Sequence, residues 1–436
     1  MVSSIAVYHL QRYVKKLLLF DLEYHLIYEE IQLFDEISDN EGIPCEDLNK
    51  LTNWLLESWA RLEADKRFNI KAVNFTTYGP ALVHLDQNSV PVLPLFDYRK
   101  KLPKEIGEKF FKTYGPKEHL EQETCSPYVG MGNAGLQLYW LKHAEPLSFE
   151  KIKTTLFLPQ YCSFLFTTHF STDYTSVGAS SLLWDFKTHR FEQWAYEEGI
   201  VDLFPKITRQ PEAGLTPFRH DFVPVGAGLL DTVAGLIPLI KRNVDPFLLV
   251  GTGSTFTVLN PFAEKDLTLD DLKKSCFCYL SFIGLPVKAS RLPLGELHDQ
   301  FTKKFASHYY KDSSYHKSIA YSADVTATLS SFPPLLDEPF LANPDFKPAS
   351  LDKFENYELA YHKLMADITH TVLQSILLAG ENLVSIKKMY VEGDFAENAL
   401  FMRMLSDSLP QLKTKPSKLE HGPALGAAMA VKPLIR

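Results

Sequence analysis

Short apolar runs alternate with longer amphipathic stretches in the first part of the chain. Ile5–Tyr8, Lys15–Asp21, His25–Leu33 and Val73–Thr77 have the length and the β-favouring composition of strands. Between the last two runs, Cys45–Glu63 opens on acidic residues and carries leucines at helical spacing, which predicts a helix with one buried face. Strands that alternate with helices in this way predict an α/β protein.

The same pattern starts again in the second half of the chain. Phe247–Phe262 predicts a strand, a turn and another strand, as the N-terminus does. Further on, the apolar spacing predicts a helix over Tyr357–Ala379, a strand over Lys388–Glu392 and a helix after Gly393. Because each half opens on a strand–turn–strand unit, we expect two related lobes with a ligand-binding cleft between them.

The length of the chain supports two lobes. It has 436 residues, of which 45% are hydrophobic and 22% charged, enough for two separate cores. No low-complexity linker is present, and the boundary is predicted near Pro238–Asp245, just before the second hairpin. This places an N-terminal lobe at residues 1–240 and a C-terminal lobe at residues 241–436.

Charge and composition indicate which classes of partner the protein is expected to bind. The formal net charge of −8 and the lack of a basic cluster argue against nucleic-acid binding. No apolar run reaches the roughly 20 residues that span a bilayer, and no export signal is recognisable, so we expect a soluble, cytoplasmic protein without a membrane partner. The cysteines are scattered and favour buried, reduced thiols over disulfides or a zinc site. They are Cys45, Cys125, Cys162, Cys276 and Cys278.

Three stretches carry candidate chemistry. The turn Gly251–Thr255 is rich in glycine and hydroxyl groups, and such turns present N–H groups to a phosphate, although a hairpin also uses glycine simply to turn. Gly393 lies at a strand-to-helix junction, which offers backbone amides to a ligand or is an ordinary helix start. Asp231 interrupts the apolar helical pattern Val223–Ile240, either as a helix cap or as a base whose proton affinity burial raises.

A further stretch offers polar groups to the same cleft. Thr76–Asp86 and Pro94–Pro103 mark a strand edge and a loop. Tyr78, Asp97 and Arg99 lie in these segments, and we expect them to face the same cleft. Surface residues that cap a loop are the alternative interpretation.

Taken together, these motifs resemble the FGGY carbohydrate kinases over nearly the whole chain. GLLDTVAG, with Asp231, resembles the family's Gly-x-x-Asp-x-x-Ala segment, GTGST its second phosphate loop, and EGDFAEN its adenosine segment, Gly-Gly-x-x-x-Asn. GPALGAAMAV, Gly422–Val431, resembles the family's final helix. The N-terminal stretches that look like the family are Gly135–His143, Leu158–Thr167 and Tyr174–Trp194. The rhamnulose and xylulose kinase branches are the most similar.

The resemblance implies a two-lobed actin and hexokinase-like ATPase fold, ribonuclease H-like, with a central interlobe cleft. It implies an ATP-dependent sugar kinase that uses Mg²⁺, with Asp231 as catalytic base and sugar contact. A ketose or deoxyketose is the favoured substrate, and a homodimer is compatible with the family. The implied ATP contacts are Thr252, Gly253, Ser254, Gly393, Asp394, Asn398 and Lys15. The implied further sugar contacts are Tyr78, Gly79, Pro80, Asp97 and Arg99.

The first phosphate loop departs from the family pattern. The family has Asp-x-Gly-Thr or Asp-x-Gly-Lys-Thr between its first two strands, whereas His9, Gln11 and Tyr13 stand there in this chain. His9 removes a metal-facing carboxylate, Gln11 adds a side chain where backbone approaches phosphate, and Tyr13 fills the space of a small hydroxyl. Lys15 and Lys16 are kept in the next strand.

The adenosine segment departs from the pattern as well, because Asp394 replaces its second glycine and its charge disfavours a nucleotide. Two interpretations therefore stay open. One is a working kinase in which Lys15 or Lys16 compensates for the altered first loop. The other is an impaired pseudokinase that binds sugar as a sensor or regulator. A scaffold that uses the fold only for association has no sequence feature in its favour.

Overall fold

The computed structural model describes residues 1–208, 214–336 and 349–435. Two large β-sheets divide these ranges between them, one of seven strands and one of six. The strands of the first sheet end by Leu230, and those of the second begin at Phe247. The predicted boundary at residue 240 lies between Leu230 and Phe247, in the segment that connects the two sheets.

The elements before that connection surround the first sheet. The strands are β1 Val2–Leu10, β2 Val14–Asp21, β3 Leu26–Leu33, β4 Ile37–Ser38, β5 Pro44–Cys45, β6 Phe68–Thr77, β7 Leu82–Leu85, β8 Thr154–Phe157, β9 Trp184–Asp185, β10 Arg190–Phe191, β11 Gly214–Phe218, β12 Asp221–Val225 and β13 Leu229–Leu230. The α-helices are α1 Leu48–Ala64, α2 Lys104–Tyr114, α3 Lys117–Glu123, α4 Ala134–Ala144, α5 Pro146–Phe149, α6 Leu158–Thr167, α7 Tyr174–Val177, α8 Gln193–Glu197, α9 Asp231–Ala234 and α10 Leu236–Arg242.

The remaining elements build the second sheet and its cover. The strands are β14 Phe247–Thr252, β15 Phe256–Asn260, β16 Cys276–Leu280, β17 Pro286–Leu292, β18 Lys388–Gly393 and β19 Lys413–Pro416. The α-helices, within the described ranges, are α11 Leu269–Lys273, α12 Leu294–His308, α13 Ala323–Thr328, α14 Tyr357–Ala379, α15 Ala399–Ser408 and α16 Gly422–Val431.

Both sheets contain the same four-stranded unit. In the first, β1 pairs antiparallel with β2, β2 antiparallel with β3, and β1 parallel with β6. In the second, β14 pairs antiparallel with β15, β15 antiparallel with β17, and β14 parallel with β18. The repeat confirms the prediction of two related lobes, each opening on a hairpin.

The last helix of the chain lies between the two sheets. Ile5 and Val7 point from β1 toward α16, whereas Ala6 and Tyr8 point to the opposite side, toward α1 and α6. At its start, α16 approaches the second sheet, because a Cβ built on Gly422 would lie 3.9 Å from a carboxylate oxygen on β18. The apolar residues of α16 pack against the first sheet and the helices α9 and α10, and only the start of the helix approaches the second sheet.

Two predicted helices begin later than the sequence predicts. Val223–Ile240 is predicted as one helical pattern, but its first residues belong to strand β12 and the helix starts at Asp231. A short apolar run that is buried on both sides is compatible with a strand as well as with a helix. Here the run forms strand β12, because it pairs with β11 and β6. After Gly393, a 3₁₀ turn precedes the helix, which starts at Ala399.

Most other predicted elements are present. The long helix Tyr357–Ala379 and the final helix Gly422–Val431 have the predicted bounds. α1 covers most of the helix predicted over Cys45–Glu63 and buries the predicted leucine face, with Asp47 as its cap and without the predicted acidic first turn. The five cysteines are free and buried. Among the described residues, no helix is long and apolar enough to cross a membrane.

Candidate active site

Asp231 opens helix α9 directly after β13, beside the end of β6. Its carboxylate accepts hydrogen bonds from the backbone N–H of Thr232 at 2.6 Å and from the Thr232 hydroxyl at 3.2 Å. The side chain stays partly accessible. Leu230, and not Asp231, occupies the cap position of the helix, so the carboxylate is free to act on a ligand.

A buried polar network holds the backbone that precedes Asp231. The carboxylate of Asp173 accepts hydrogen bonds from the backbone N–H of Thr175 at 2.8 Å and the side-chain amide of Gln160 at 3.0 Å. The Thr175 hydroxyl donates to Asp173 and accepts the backbone N–H of Leu230 at 2.9 Å. Because every step of this chain is buried, it determines where the Asp231 side chain enters the cleft.

The environment of Asp231 adjusts its proton affinity. Desolvation raises the pKa of Asp231 from 3.8 to about 6, and the hydrogen bonds of Thr232 and the charge of Arg291 act in the opposite direction. A carboxylate whose pKa lies near neutrality is both ionised at pH 7 and able to accept a proton. The group is therefore suited to work as a general base.

The turn of the second hairpin is open to solvent at its tip. Gly253 and Ser254 are exposed, and within the described chain their backbone N–H groups make no hydrogen bond. Thr252 is buried, and its hydroxyl donates to the carbonyl of Glu392 at 2.6 Å and accepts the N–H of Phe395 at 3.1 Å. Thr252 thus fastens the turn to β18, while the two following N–H groups can receive a phosphate.

The adenosine segment follows on β18 beside this turn. Gly393 has φ of +86°, and a Cβ there would lie 2.8 Å from the carbonyl oxygen of Thr252, so the position requires glycine. Asp394 is exposed. Asn398 caps α15 with its side-chain oxygen, and its Nδ2 donates to the hydroxyl of Tyr361 at 3.0 Å. The amide of Asn398 is therefore engaged within the protein.

Lys15 is completely buried beneath the first loop. Its ammonium group donates to the carbonyl oxygens of Gln11 and Arg12, at 2.6 and 2.7 Å, and to the carboxylate of Glu46 at 2.8 Å. The Tyr78 hydroxyl donates to the same carboxylate at 2.9 Å. An ammonium group has three N–H bonds, so in this structure Lys15 has none left for a phosphate.

His9 is almost completely buried. It follows Val7 on the side of β1 that faces α16, and within the described chain neither ring nitrogen has a hydrogen-bond partner. Burial, together with the nearby Lys16 and His421, lowers the pKa of His9 to about 4. His9 is therefore neutral at pH 7.

Three of the predicted sugar contacts lie next to the candidate base. Tyr78, Gly79 and Pro80 line a crevice with Leu230, the residue before Asp231. The crevice holds a void of about 10 Å³, the space of a single water molecule. A Cβ on Gly79 would lie 2.9 Å from a methyl group of Leu230, so the walls are in close contact.

Asp97 and Arg99 are also brought close to Tyr78, in a second small crevice, but both are already paired. The Nε of Arg99 donates to Asp97 at 2.7 Å, and the guanidinium group of Arg99 also bonds Glu36. The second oxygen of Asp97 pairs with Arg12 of the first loop. A sugar hydroxyl must therefore compete with these ion pairs.

A second carboxylate of the cleft, Glu392, has no partner within the described chain. Burial raises the pKa of Glu392 to about 7. Among the described residues, no group of three His, Cys, Asp or Glu side chains is arranged to hold a metal ion. Mg²⁺ in nucleotide sites is bound mainly by phosphates and water with one or two carboxylates, so the unpaired Glu392 fits an ion that arrives with a nucleotide.

Four of these site residues were missed by the sequence reasoning. Thr175 follows Asp173 in a helix-capping pattern, which is a local signal that could have drawn attention to it. Glu46, Arg291 and Glu392 have no such signal, because only their long-range neighbours give them a role.

The chain is similar to known carbohydrate kinases. Residues 14–209 match the N-terminal domain of the FGGY family of carbohydrate kinases. A rhamnulokinase of Oceanobacillus iheyensis is 24% identical over 250 residues, which cover 54% of this chain and 51% of that protein. The chain spans about half the length of the curated relatives it matches.

Solved structures match over the full length. A carbohydrate kinase from Novosphingobium aromaticivorans has a TM-score of 0.82 at 21% identity, over 100% of this chain and 93% of that one. A xylulose kinase from Lactobacillus acidophilus has a TM-score of 0.81 at 15% identity, over 99% of this chain and 89% of that one.

The fold is thus the two-lobed actin and hexokinase-like ATPase fold with an interlobe cleft, as the sequence predicts. Within that class, residues 14–209 are similar to the N-terminal domain of the FGGY family of carbohydrate kinases, and the matched curated relatives are rhamnulokinases.

Proposed function

We propose that this protein transfers the γ-phosphate of ATP to a hydroxyl group of a small sugar. The observation that carries the proposal is Asp231, a partly accessible carboxylate whose pKa burial raises to about 6, in a cleft between two sheets. The free N–H groups of Gly253 and Ser254 on the C-terminal lobe support it, because they suit phosphate oxygens.

The proposed reaction needs few protein groups. Asp231 orients the attacking sugar hydroxyl and accepts its proton, while the Gly251–Thr255 turn holds phosphate oxygens. Mg²⁺, when bound with ATP, neutralises charge on the phosphates. Since protonation removes the acceptor, we expect kcat/KM to fall as the pH decreases below about 6, the pKa of Asp231.

We infer a ketose or deoxyketose as the acceptor. The matched relatives include a rhamnulokinase and a xylulose kinase by name. Tyr78, Gly79 and Pro80 line the crevice next to Asp231, where the acceptor hydroxyl has to lie. The paired Asp97 and Arg99 border the same region through Tyr78.

A coupled ADP-release screen over ketoses, aldoses and polyols, with ATP and Mg²⁺, tests the proposal. We expect turnover with at least one ketose. Asp231→Asn keeps the shape and removes the proton acceptor, so it should lower kcat by about 10²–10⁴-fold while calorimetry shows sugar binding unchanged. Asp221→Asn, an exposed carboxylate of the same lobe, is the matched control and should retain full turnover.

Two results would contradict the proposal. Unchanged turnover in Asp231→Asn would remove the base from the mechanism. Sugar binding without turnover across the whole panel would favour the impaired pseudokinase, a sugar sensor built on the same fold.

A further inference from the structure

Four polar or open positions form one row across the second sheet. Arg291 on β17 pairs with Thr257 on β15, Thr257 pairs with Gly251 on β14, and Gly251 pairs with Glu392 on β18. The row therefore crosses the strand that leads into the candidate phosphate turn. Arg291 stands at one end and Glu392 at the other.

The members of the row face the same side of the sheet. A Cβ built on Gly251 would lie 2.7 Å from the Thr257 hydroxyl and 3.7 Å from a Glu392 carboxylate oxygen. Ser290, the neighbour of Arg291, points to the other side, where its hydroxyl donates to Ser375 of α14 at 3.1 Å. Since side chains alternate along a strand, Arg291 points away from α14 and toward the cleft.

Arg291 keeps its charge available in this position. It is exposed, it donates to the hydroxyl of Tyr279, and its guanidinium carbon lies 5.3 Å from the ring centre of Phe277. Within the described chain it makes no ion pair at 4 Å or less, and its charge acts on Asp231 and Tyr98 across the cleft.

The cations of the first loop differ from Arg291 in this respect. Arg12 is paired with Asp97 and Glu36, and Lys15 is buried against Glu46. Their charges are balanced within the protein. Within the described chain, Arg291 lies on the row that crosses the strand of the candidate phosphate turn, and it has no carboxylate partner in direct contact.

We propose that Arg291 binds the phosphoryl group during its transfer, taking the role that the altered first loop no longer fills. This inference rests on the proposed kinase function. In the transfer, a bond forms between the sugar oxygen and the γ-phosphorus, and the bond from that phosphorus to the β,γ-bridging oxygen breaks. ADP leaves with the electron pair, and the hydroxyl proton goes to Asp231. Arg291 donates to the equatorial oxygens and is not consumed.

Kinetics and nucleotide binding of Arg291→Gln and Arg291→Lys test this role. We expect Arg291→Gln to lower kcat by about 10²-fold or more, with the KM for sugar nearly unchanged. Arg291→Lys should retain part of the activity, because lysine keeps the positive charge but lacks the two parallel N–H donors of the guanidinium group. Arg403→Gln, an exposed arginine of α15, is the control and should behave as the wild type.

A calorimetric comparison separates this inference from the proposed function. We expect Arg291→Gln to bind the Mg²⁺ complex of a non-hydrolysable ATP analogue about 10-fold more weakly, and to bind MgADP as the wild type does, because only the γ-phosphate reaches Arg291. This measurement needs no turnover. A wild type that binds the analogue but phosphorylates no sugar would overturn the proposed function, and weaker analogue binding by Arg291→Gln would then still show that Arg291 contacts the γ-phosphate.

The pH dependence gives a readout that a merely structural role would not move. Since the charge of Arg291 lowers the pKa of Asp231, Arg291→Gln should shift the acidic limb of kcat/KM toward higher pH. Unchanged analogue binding in a folded Arg291→Gln protein would overturn the proposal. A loss confined to the KM for sugar would also overturn it and make Arg291 a sugar contact.

Discussion

At the scale of single residues, burial decides whether a charged side chain can reach a ligand. Lys15 has the position of a phosphate-binding lysine in sequence, yet its three donors meet Gln11, Arg12 and Glu46. Lys16, the next residue, points outward and pairs with Glu29 near the surface. The alternation of a strand has separated the two lysines into a structural and a solvent-facing one.

Lys15→Met should leave the Glu46 carboxylate buried without its cation. We expect a loss of about 3–5 kcal/mol of unfolding free energy, seen as a lower urea midpoint. Lys16→Met is the matched control and should cost at most about 1 kcal/mol, because its ion pair is partly exposed. A double variant Lys15→Met/Glu46→Leu should recover stability, and failure to do so would show that the pair is not the source of the loss.

His9 should make the protein sensitive to acid. Its pKa is about 4 when folded and 6.5 when unfolded, so the unfolded chain binds the proton more readily. The stability it contributes is complete above pH 6.5 and is lost as the pH falls toward 4. Urea unfolding between pH 7 and 4.5 should therefore show a shallower decline in His9→Leu than in the wild type. His220→Gln, at an exposed histidine, should follow the wild type; an equally steep decline in His9→Leu would contradict the assignment.

At the scale of elements, the β1–β2 hairpin corresponds by resemblance to the first phosphate loop of the FGGY kinases, but the residues of its loop differ from that pattern. Gln11 and Tyr13 are exposed at the turn, whereas His9 is packed inside. Gln11 and Tyr13 can therefore be replaced without disturbing the core. A replacement of His9 alters a buried ring that has no hydrogen-bond partner within the described chain.

Restoring the family pattern tests whether this loop limits nucleotide handling. We expect His9→Asp/Gln11→Gly/Tyr13→Thr to raise MgATP affinity or turnover, because it returns a carboxylate, an open backbone and a small hydroxyl. Sugar affinity should stay nearly unchanged, since the crevice beside Asp231 is formed by other residues. Gln11→Gly/Tyr13→Thr, without the change at His9, separates the effect of the backbone from that of the carboxylate. A wild type with turnover of about 1–100 s⁻¹, or a restored loop that lowers both constants, would show that the present loop already works.

At the scale of the whole molecule, the crevice next to Asp231 is lined by residues of the N-terminal lobe alone and holds a void of about 10 Å³, the space of a single water molecule. Entry of a sugar ring therefore requires the walls of this crevice to rearrange, and we expect the bound sugar to hold them in place.

Sugar binding should accordingly stabilise the protein against heat. A ligand that binds only the folded state at 100 times its Kd adds about 2.7 kcal/mol, which is readily seen in a thermal-shift panel. Asp231→Asn should keep this protection, because the loss of a proton acceptor leaves the other contacts in place. A panel in which ATP protects and no sugar does would contradict a sugar cleft and would favour a nucleotide-dependent switch.

Local patterns were sufficient for the elements and for the candidate base. The helices Tyr357–Ala379 and Gly422–Val431, and the hairpins that open each lobe, follow from apolar spacing within a short stretch of chain, with glycine turn residues only in the second hairpin. Asp231 stood out because a carboxylate in an apolar run is locally unusual. The start of its helix was misplaced, because β12 is a strand through its pairing with β11 and β6.

The sequence by itself thus determined the fold class, the family and the residue most suited to accept a proton, since periodicity and short motifs record them. Only the tertiary structure decided which charges are free. Lys15 is neutralised by a glutamate 31 residues away, and Asp97 by the arginine of another loop. The charge of Arg291 acts on Asp231 although the two residues are far apart in the chain, on β17 and at the start of α9. The availability of a charge depends on every group around it in space, and those groups come from all parts of the chain.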